Sequence, residues 1–212
     1  MLRPGDHIDR VAEAHARCAS AVASLTGDDV GRPSRLPGWS VGHVLTHLAR
    51  NADSHVRRTE AALRGEVVDQ YAGGAAGRAA EIEAGAGRPA HDIVDDVVTS
   101  ARALEAAWAD VGAEAWPAVS RDGGGMPRRL FELPGRRWQE VEVHLVDLGV
   151  GITPADWPDA FVREFLARTR EKLWDRLPAE ARDASFPSPA AELAWLYGRL
   201  TVEGLPPAPA WG

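Results

Sequence analysis

Apolar residues recur at three- and four-residue intervals over four long stretches of the first 150 residues. That spacing lays one buried face along an α-helix. In the first stretch, from Asp6 to Leu25, the stripe is Ile8, Val11, Ala12, Ala19, Val22 and Leu25, and Thr26-Gly27-Asp28-Asp29 ends it. A connection rich in Pro and Gly follows, from Gly31 to Trp39. Ser40 is placed to cap a second helix reaching about Arg64, with Val41, Val44, Leu45, Leu48 and Ala52 inside. The segment Gly65 to Gly87 is rich in Ala and Gly, and its weak periodicity predicts a short helix around Ala75 to Ala84. A third long helix follows Arg88-Pro89-Ala90-His91-Asp92 and runs to about Val111, burying Ile93, Val94, Val97, Ala101, Leu104 and Trp108.

The fourth stretch opens at Pro134-Gly135 and closes at Gly149. As a helix it has a stripe of Trp138, Val141, Leu145 and Leu148, flanked by a polar row of Glu140, His144 and Asp147. Glu142 falls on the far side of the wheel, as surface. The same letters also alternate like a strand. A strand would hold Glu140 and His144 about 13 Å apart at about 3.3 Å per residue, whereas a helix brings them within roughly 5–6 Å at Cβ. Only the helix makes them a chelating pair.

Trp116 to Leu130 reads as a glycine-tipped, hairpin-like excursion. Its triple glycine, Gly123-Gly124-Gly125, lacks the strand-to-helix setting and the Lys-Ser/Thr of a phosphate loop. Four helical faces of this kind are buried most simply in an antiparallel bundle. The fold class is therefore mainly α, with a bundle over 1–152 and a small C-terminal part over 153–212. In that second part Asp159 to Trp174 predicts a helix with Phe161, Phe165, Leu166 and Leu173 inside. Leu177 to Pro189 reads as irregular, and a last helix is expected over Ala190 to Leu200, started by Ser188 or Pro189. The Pro-rich tail from Gly204 is not helical and is expected to be anchored by Trp211.

Composition narrows the class of partner. The net charge of −7 argues against nucleic acid, which needs clustered Lys and Arg. There is no run of 18 apolar residues, so no membrane span is expected. The first residues carry no apolar leader core, so the chain is expected in the cytoplasm. Cys18 is the single cysteine, which excludes an internal disulfide and a Cys-rich zinc site. It reads as a small residue packed in an Ala-rich helix, so any thiol chemistry would use a thiol brought in from outside.

Two His and one carboxylate suit a divalent metal with open coordination positions. The spacing of Glu140 and His144 alone reads equally as a Glu–His pair on a surface helix. As ligands they would supply two such groups, with the third from the second helix. That helix carries His43, His47 and His55. His43 points away from the stripe and reads as solvated, His47 lies at its edge, and His55 falls within it as a hydrogen-bonded core histidine. Periodicity alone does not choose among them.

Two motifs carry a resemblance. Leu36-Pro37-Gly38-Trp39-Ser40-Val41-Gly42-His43-Val44-Leu45-Thr46-His47-Leu48-Ala49-Arg50-Asn51-Ala52 and Glu140-Val141-Glu142-Val143-His144-Leu145-Val146-Asp147-Leu148-Gly149 resemble the mycothiol-dependent maleylpyruvate isomerase family, within the DinB-like metal-binding four-helix bundles. The resemblance covers most of residues 1–158. It implies that His47, Glu140 and His144 bind a divalent metal, usually zinc, and that mycothiol is the cofactor. It also implies a cis–trans isomerisation of a small dicarboxylic substrate: a thiolate adds to the double bond, the resulting single bond rotates, and elimination returns the thiol. Asp147 has two readings, a partner that orients His144 or a salt bridge on the bundle surface.

The family's C-terminal domain contributes a functional Arg from a Gly-Arg element, and Gly198-Arg199 is similar to it. The resemblance thus implies that Arg199 holds a substrate carboxylate. Here the stretch from Trp174 to Pro189 is shorter than the family's strand-bearing one, so a shortened, mostly helical second part is expected. Two other activities compete with the isomerase: a mycothiol-dependent S-transferase acting on another electrophile, and a non-catalytic metal-binding bundle.

Overall fold

Residues 4–209 are described by a computed structural model, which divides into two compact units, Met1–Val150 and Gly151–Gly212. The first unit is built on the four long helices that the apolar spacing predicts: α1 (Pro4–Val22), α3 (Val41–Leu63), α5 (Ala90–Ala109) and α6 (Leu133–Asp147). Two shorter helices, α2 (Gly27–Gly31) and α4 (Gly74–Ala86), lie between them in sequence. α3 packs along α5 and α1 along α6, while α1 on α5 and α3 on α6 complete a four-helix bundle.

α3 has an unusually wide buried face because α4, α5 and α6 all pack on it. Its start is fixed by a reciprocal cap: Ser40 Oγ accepts from the His43 backbone N–H at 3.3 Å, and His43 Nδ1 accepts from the Ser40 N–H at 3.2 Å. His43 is therefore a capping residue and not a freely solvated one. The α3–α4 contact is made by small residues. A Cβ on Gly42 would run into the Ala86 carbonyl oxygen, and one on Gly85 would lie 2.5 Å from Thr46 Cγ2. This explains the weak periodicity of the α4 sequence, since Gly and Ala do much of its packing.

The Pro- and Gly-rich connection before α3 is held to the far end of α6, where the Arg35 N–H donates to the Asp147 carbonyl at 2.8 Å. Gly149, at φ +69°, ends α6 in the left-handed conformation that glycine adopts without strain. The excursion before α6 is a two-stranded hairpin, β1 (Val119–Arg121) and β2 (Pro127–Arg129), with Ser120 opposite Arg128. Asp122 ties its glycine turn by accepting from the N–H groups of Gly124 and Met126 at 3.1 and 2.9 Å.

Glu142 is not on the surface. It is 1% exposed, paired with Arg17 at 2.6 Å, and it accepts from Trp138 Nε1 at 3.2 Å. The wheel misplaced it because α1 covers that side of α6, so α6 is buried on more than one face. Arg137, also buried on α6, links three helices. It donates to the Leu48 carbonyl and Asn51 Oδ1 on α3 and to His15 Nε2 on α1, while His15 Nδ1 meets Glu105 of α5 at 2.7 Å. Burial, reinforced by the Arg137 charge, lowers the His15 pKa to about 2, so this ring is neutral.

The second unit contains α7 (Asp159–Leu173), α8 (Ala179–Arg182) and α9 (Pro189–Leu196), and no strand among its described residues. α9 packs on α7, and Leu173, Leu177, Ala181, Trp195 and Leu196 form its core. α9 stops at Leu196 and not at Leu200, because Gly198 turns left-handed at φ +70° and the Arg199 N–H closes back on the Ala194 carbonyl at 2.7 Å. The stretch read as irregular includes the short helix α8. Trp195 Nε1 donates to the Pro206 carbonyl at 3.1 Å, which holds the start of the tail. Trp211, expected to anchor it, lies outside the described residues.

Candidate metal centre

One helical turn separates Glu140 from His144 on α6, and the facing side of α3 presents His47. The α3–α6 contact therefore brings these three side chains to one point. His47 Nε2 lies 3.1 Å from Glu140 Oε2, and His144 Nε2 lies 3.3 Å from the same oxygen. One ligand atom from each residue falls within 4.8 Å of the other two. The two imidazoles meet edge to face, their centroids 4.8 Å apart and their planes at 89°. Among the described residues no other group of His, Cys, Asp and Glu comes together in this way.

Asp147 decides how His144 presents itself. Its side chain is fully buried and its Oδ2 lies 2.9 Å from His144 Nδ1. A carboxylate accepts, so Nδ1 carries a proton, and Nε2 is the nitrogen that faces Glu140, donating to it when the ring is charged and offering a lone pair when the ring is neutral. The two sequence readings of Asp147 are thereby separated: it is a buried partner of His144, not a surface ion pair.

The electrostatics follow from this geometry. Burial lowers the His47 pKa to about 4 despite its hydrogen bond with Glu140, so the ring is neutral near pH 7. Burial also opposes charge on His144, but the bonds to Asp147 and Glu140 and their negative charges outweigh it, and its pKa is raised. Burial favours the neutral form of Glu140, yet hydrogen bonds from His144 and His47 hold it well below the usual carboxylate range. The cluster is thus an ionised carboxylate between two imidazoles. A divalent cation replacing the shared protons would fit this donor set, with three protein ligands and room for a further one.

A cavity of about 350 Å³ opens above the cluster, lined also by Tyr71, Arg78 and Gly123 of the hairpin turn. Arg78 Nη2 lies 3.1 Å from His47 Nδ1, and its guanidinium sits 5.7 Å from the Trp39 ring and 5.8 Å from the Tyr71 ring. Nothing in the α4 sequence marks Arg78, because the residues around it are Ala and Gly.

The other candidates lie elsewhere. His43 caps α3 and meets Glu83 at 3.2 Å, and His55 is buried edge-on against Trp108 with Nδ1 unpartnered. His91 is exposed beside Asp92. Cys18 is buried and burial pushes its thiol up to about 11, as suits a packed residue and not a nucleophile. Arg199 belongs to the second unit, where its Nη1 donates to the Tyr197 carbonyl at 2.6 Å.

Comparison with known proteins adds a lineage to this geometry. The family model described as "Mycothiol maleylpyruvate isomerase N-terminal domain" matches residues 11–149. No curated protein matches the chain. Among solved structures, a mycothiol-dependent maleylpyruvate isomerase superposes with a TM-score of 0.86 at 22% identity, covering 99% of this chain and 98% of that one. A histidine-to-alanine mutant of the mycothiol-dependent maleylpyruvate isomerase gives 0.86 at 21% identity, with the same coverage of both chains. At such identities the likeness shows a shared fold.

Proposed function

Because the chain belongs to the mycothiol maleylpyruvate isomerase N-terminal domain family, we propose that it is a metal- and thiol-dependent cis–trans isomerase of the cytoplasm, with His47, Glu140 and His144 as its metal ligands. The observation that carries this reading is the convergence of three ligand atoms within 4.8 Å, one of them on a ring oriented by a buried carboxylate. Zinc or a similar divalent ion held there would lower the pKa of a coordinated thiol and favour its thiolate at neutral pH.

The protein's own groups do the rest. Asp147 holds the Nδ1 proton of His144 and keeps its Nε2 free for ligation. Glu140 supplies the negative charge that draws the cation in. Mycothiol, as thiolate, adds through sulfur to the double bond of a dicarboxylic substrate such as maleylpyruvate. The carbon–carbon bond, now single, rotates, and loss of the sulfur restores the double bond in the trans form with no net change in atoms. Arg199, by its resemblance to the family's Gly-Arg element, is assigned a substrate carboxylate. The cavity of about 350 Å³ suits a small substrate of this class.

Metal analysis of the purified protein, followed by a maleylpyruvate assay with and without mycothiol, tests the proposal. Bound metal and mycothiol-dependent turnover support it. Bound metal with turnover only of other electrophiles would assign the chain to S-transfer. A folded protein that takes up no metal would sink both.

A further inference from the structure

Arg78 is a cation held at the mouth of the cavity without an acidic partner. Its guanidinium lies between the rings of Trp39 and Tyr71, 5.7 and 5.8 Å from their centroids, and it is half-buried. Among the described residues it pairs with no carboxylate, and its one side-chain hydrogen bond goes to His47 Nδ1 at 3.1 Å. Elsewhere on the bundle Arg88 and Arg50 share Asp96, and the buried Arg137 is satisfied by the Leu48 carbonyl, Asn51 Oδ1 and His15 Nε2. A guanidinium offers a planar fork of several N–H donors, and an imidazole nitrogen engages little of it.

The bond to His47 is also one that the proposed metal-bound form cannot retain. An imidazole that ligates through Nε2 carries its proton on Nδ1, and a guanidinium has no acceptor for that proton. Metal uptake would therefore release Arg78 from His47, and the aromatic faces of Trp39 and Tyr71 would keep its charge at the cavity. A charged, planar donor freed beside a cavity of about 350 Å³ calls for a planar anion that fits it, and a carboxylate is that anion.

We infer that Arg78 is a carboxylate-binding residue of the bundle pocket, which exchanges its bond to His47 for a carboxylate of the substrate. The exchange rests on the metal reading given above; the carboxylate site does not.

The test is calorimetric titration of maleate, without any thiol, into the full chain in zinc-loaded and metal-free forms, with the neutral diamide maleamide as control. Zinc affinity is measured separately against a chromophoric chelator, and folding by thermal melting. The expected result is that Arg78→Ala weakens maleate binding at least about tenfold, leaves maleamide and the melting midpoint unchanged, and leaves zinc affinity equal or higher. Arg78→Lys, which keeps the charge but loses the fork, should fall between the two. Equal maleate binding by wild type and Arg78→Ala would overturn the inference, as would a wild-type protein that binds no maleate. If the protein takes up no zinc, the metal reading fails by itself, and the metal-free titration still decides Arg78.

Discussion

His144 Nδ1 lies 2.9 Å from Asp147 Oδ2, and that carboxylate is fully buried. The pair turns an ordinary Glu-x-x-x-His spacing into a site with a defined donor, because it decides which imidazole nitrogen is turned toward Glu140 and His47. Three residues of one helix thus act together, Glu140 and His144 toward the cavity and Asp147 behind them.

Replacing Asp147 with Asn should therefore weaken metal binding without removing a ligand. An amide can accept from Nδ1–H or, turned over, donate to an unprotonated Nδ1, so the His144 proton is no longer confined to one nitrogen. The expected loss is about 10- to 100-fold in affinity, read by competition with a chromophoric chelator. Unchanged affinity would show that Asp147 does not position His144.

Glu142 gives a stability prediction that the helical wheel would not have made. Glu142→Ala removes the partner of Arg17 and the acceptor of Trp138 Nε1. The Arg17 side chain is one-third exposed and can turn to water, so the loss should fall near about 1–3 kcal/mol, as for lost buried hydrogen bonds, and below that of a stranded buried charge. Chemical denaturation measures it.

At Gly42 two effects oppose each other. Alanine in a helix is favoured over glycine by about 0.5–1 kcal/mol, but its Cβ here meets the Ala86 carbonyl oxygen, a backbone atom with little freedom to move. Overpacking costs about 1–3 kcal/mol, so Gly42→Ala should destabilise on balance. It should also shift α4, and Arg78 with it, so maleate binding should weaken too.

Much of this was legible in the sequence, for identifiable reasons. The bundle helices announce themselves because large apolar residues pack their faces, and Ser40 is a strong capping residue. α4 did not, since Gly42 and Gly85 let backbones approach where side chains would normally signal a contact. Glu142 misled because a wheel assumes one buried face, and α6 is covered by both α1 and α3. The trio His47, Glu140 and His144, suggested by the family resemblance, is brought together in space. Choosing His47 over His43 and His55 depends on which turn of α3 faces Glu140, and periodicity cannot supply that. Arg78 comes from a helix with almost no sequence signature, and only the fold puts it beside His47.

The pH dependence of the metal-free protein has a definite sign. His15, His47 and His55 are buried with pKa values below 6.5, to about 2 and about 4 for the first two, because burial disfavours their charged forms. The unfolded chain binds their protons first, so each costs up to about 1.4 kcal/mol per pH unit as pH falls below 6.5. His144 is raised and works the other way: its contribution is full below 6.5 and is lost as pH rises through its folded pKa. Among the histidines it is three against one, so their contribution should fall on acidification from pH 6.5. Asp53, Glu105, Glu142 and Glu192, whose pKa values burial raises, oppose it as pH nears the carboxylate range. Denaturation at a series of pH values, for the wild type and a His15→Gln variant, measures the histidine part. Metal affinity should fall on the same side, because protonated His144 cannot ligate.

The central claim is that His47, Glu140 and His144 hold one divalent metal that the reaction needs. Metal content of the purified protein, taken with mycothiol-dependent isomerisation of maleylpyruvate for the wild type and His144→Ala, tests it most directly. The account predicts about one metal per chain and turnover for the wild type, and loss of both in a variant that still folds. A His144→Ala protein that keeps its metal, or a metal-free wild type that turns over at full rate, would contradict it.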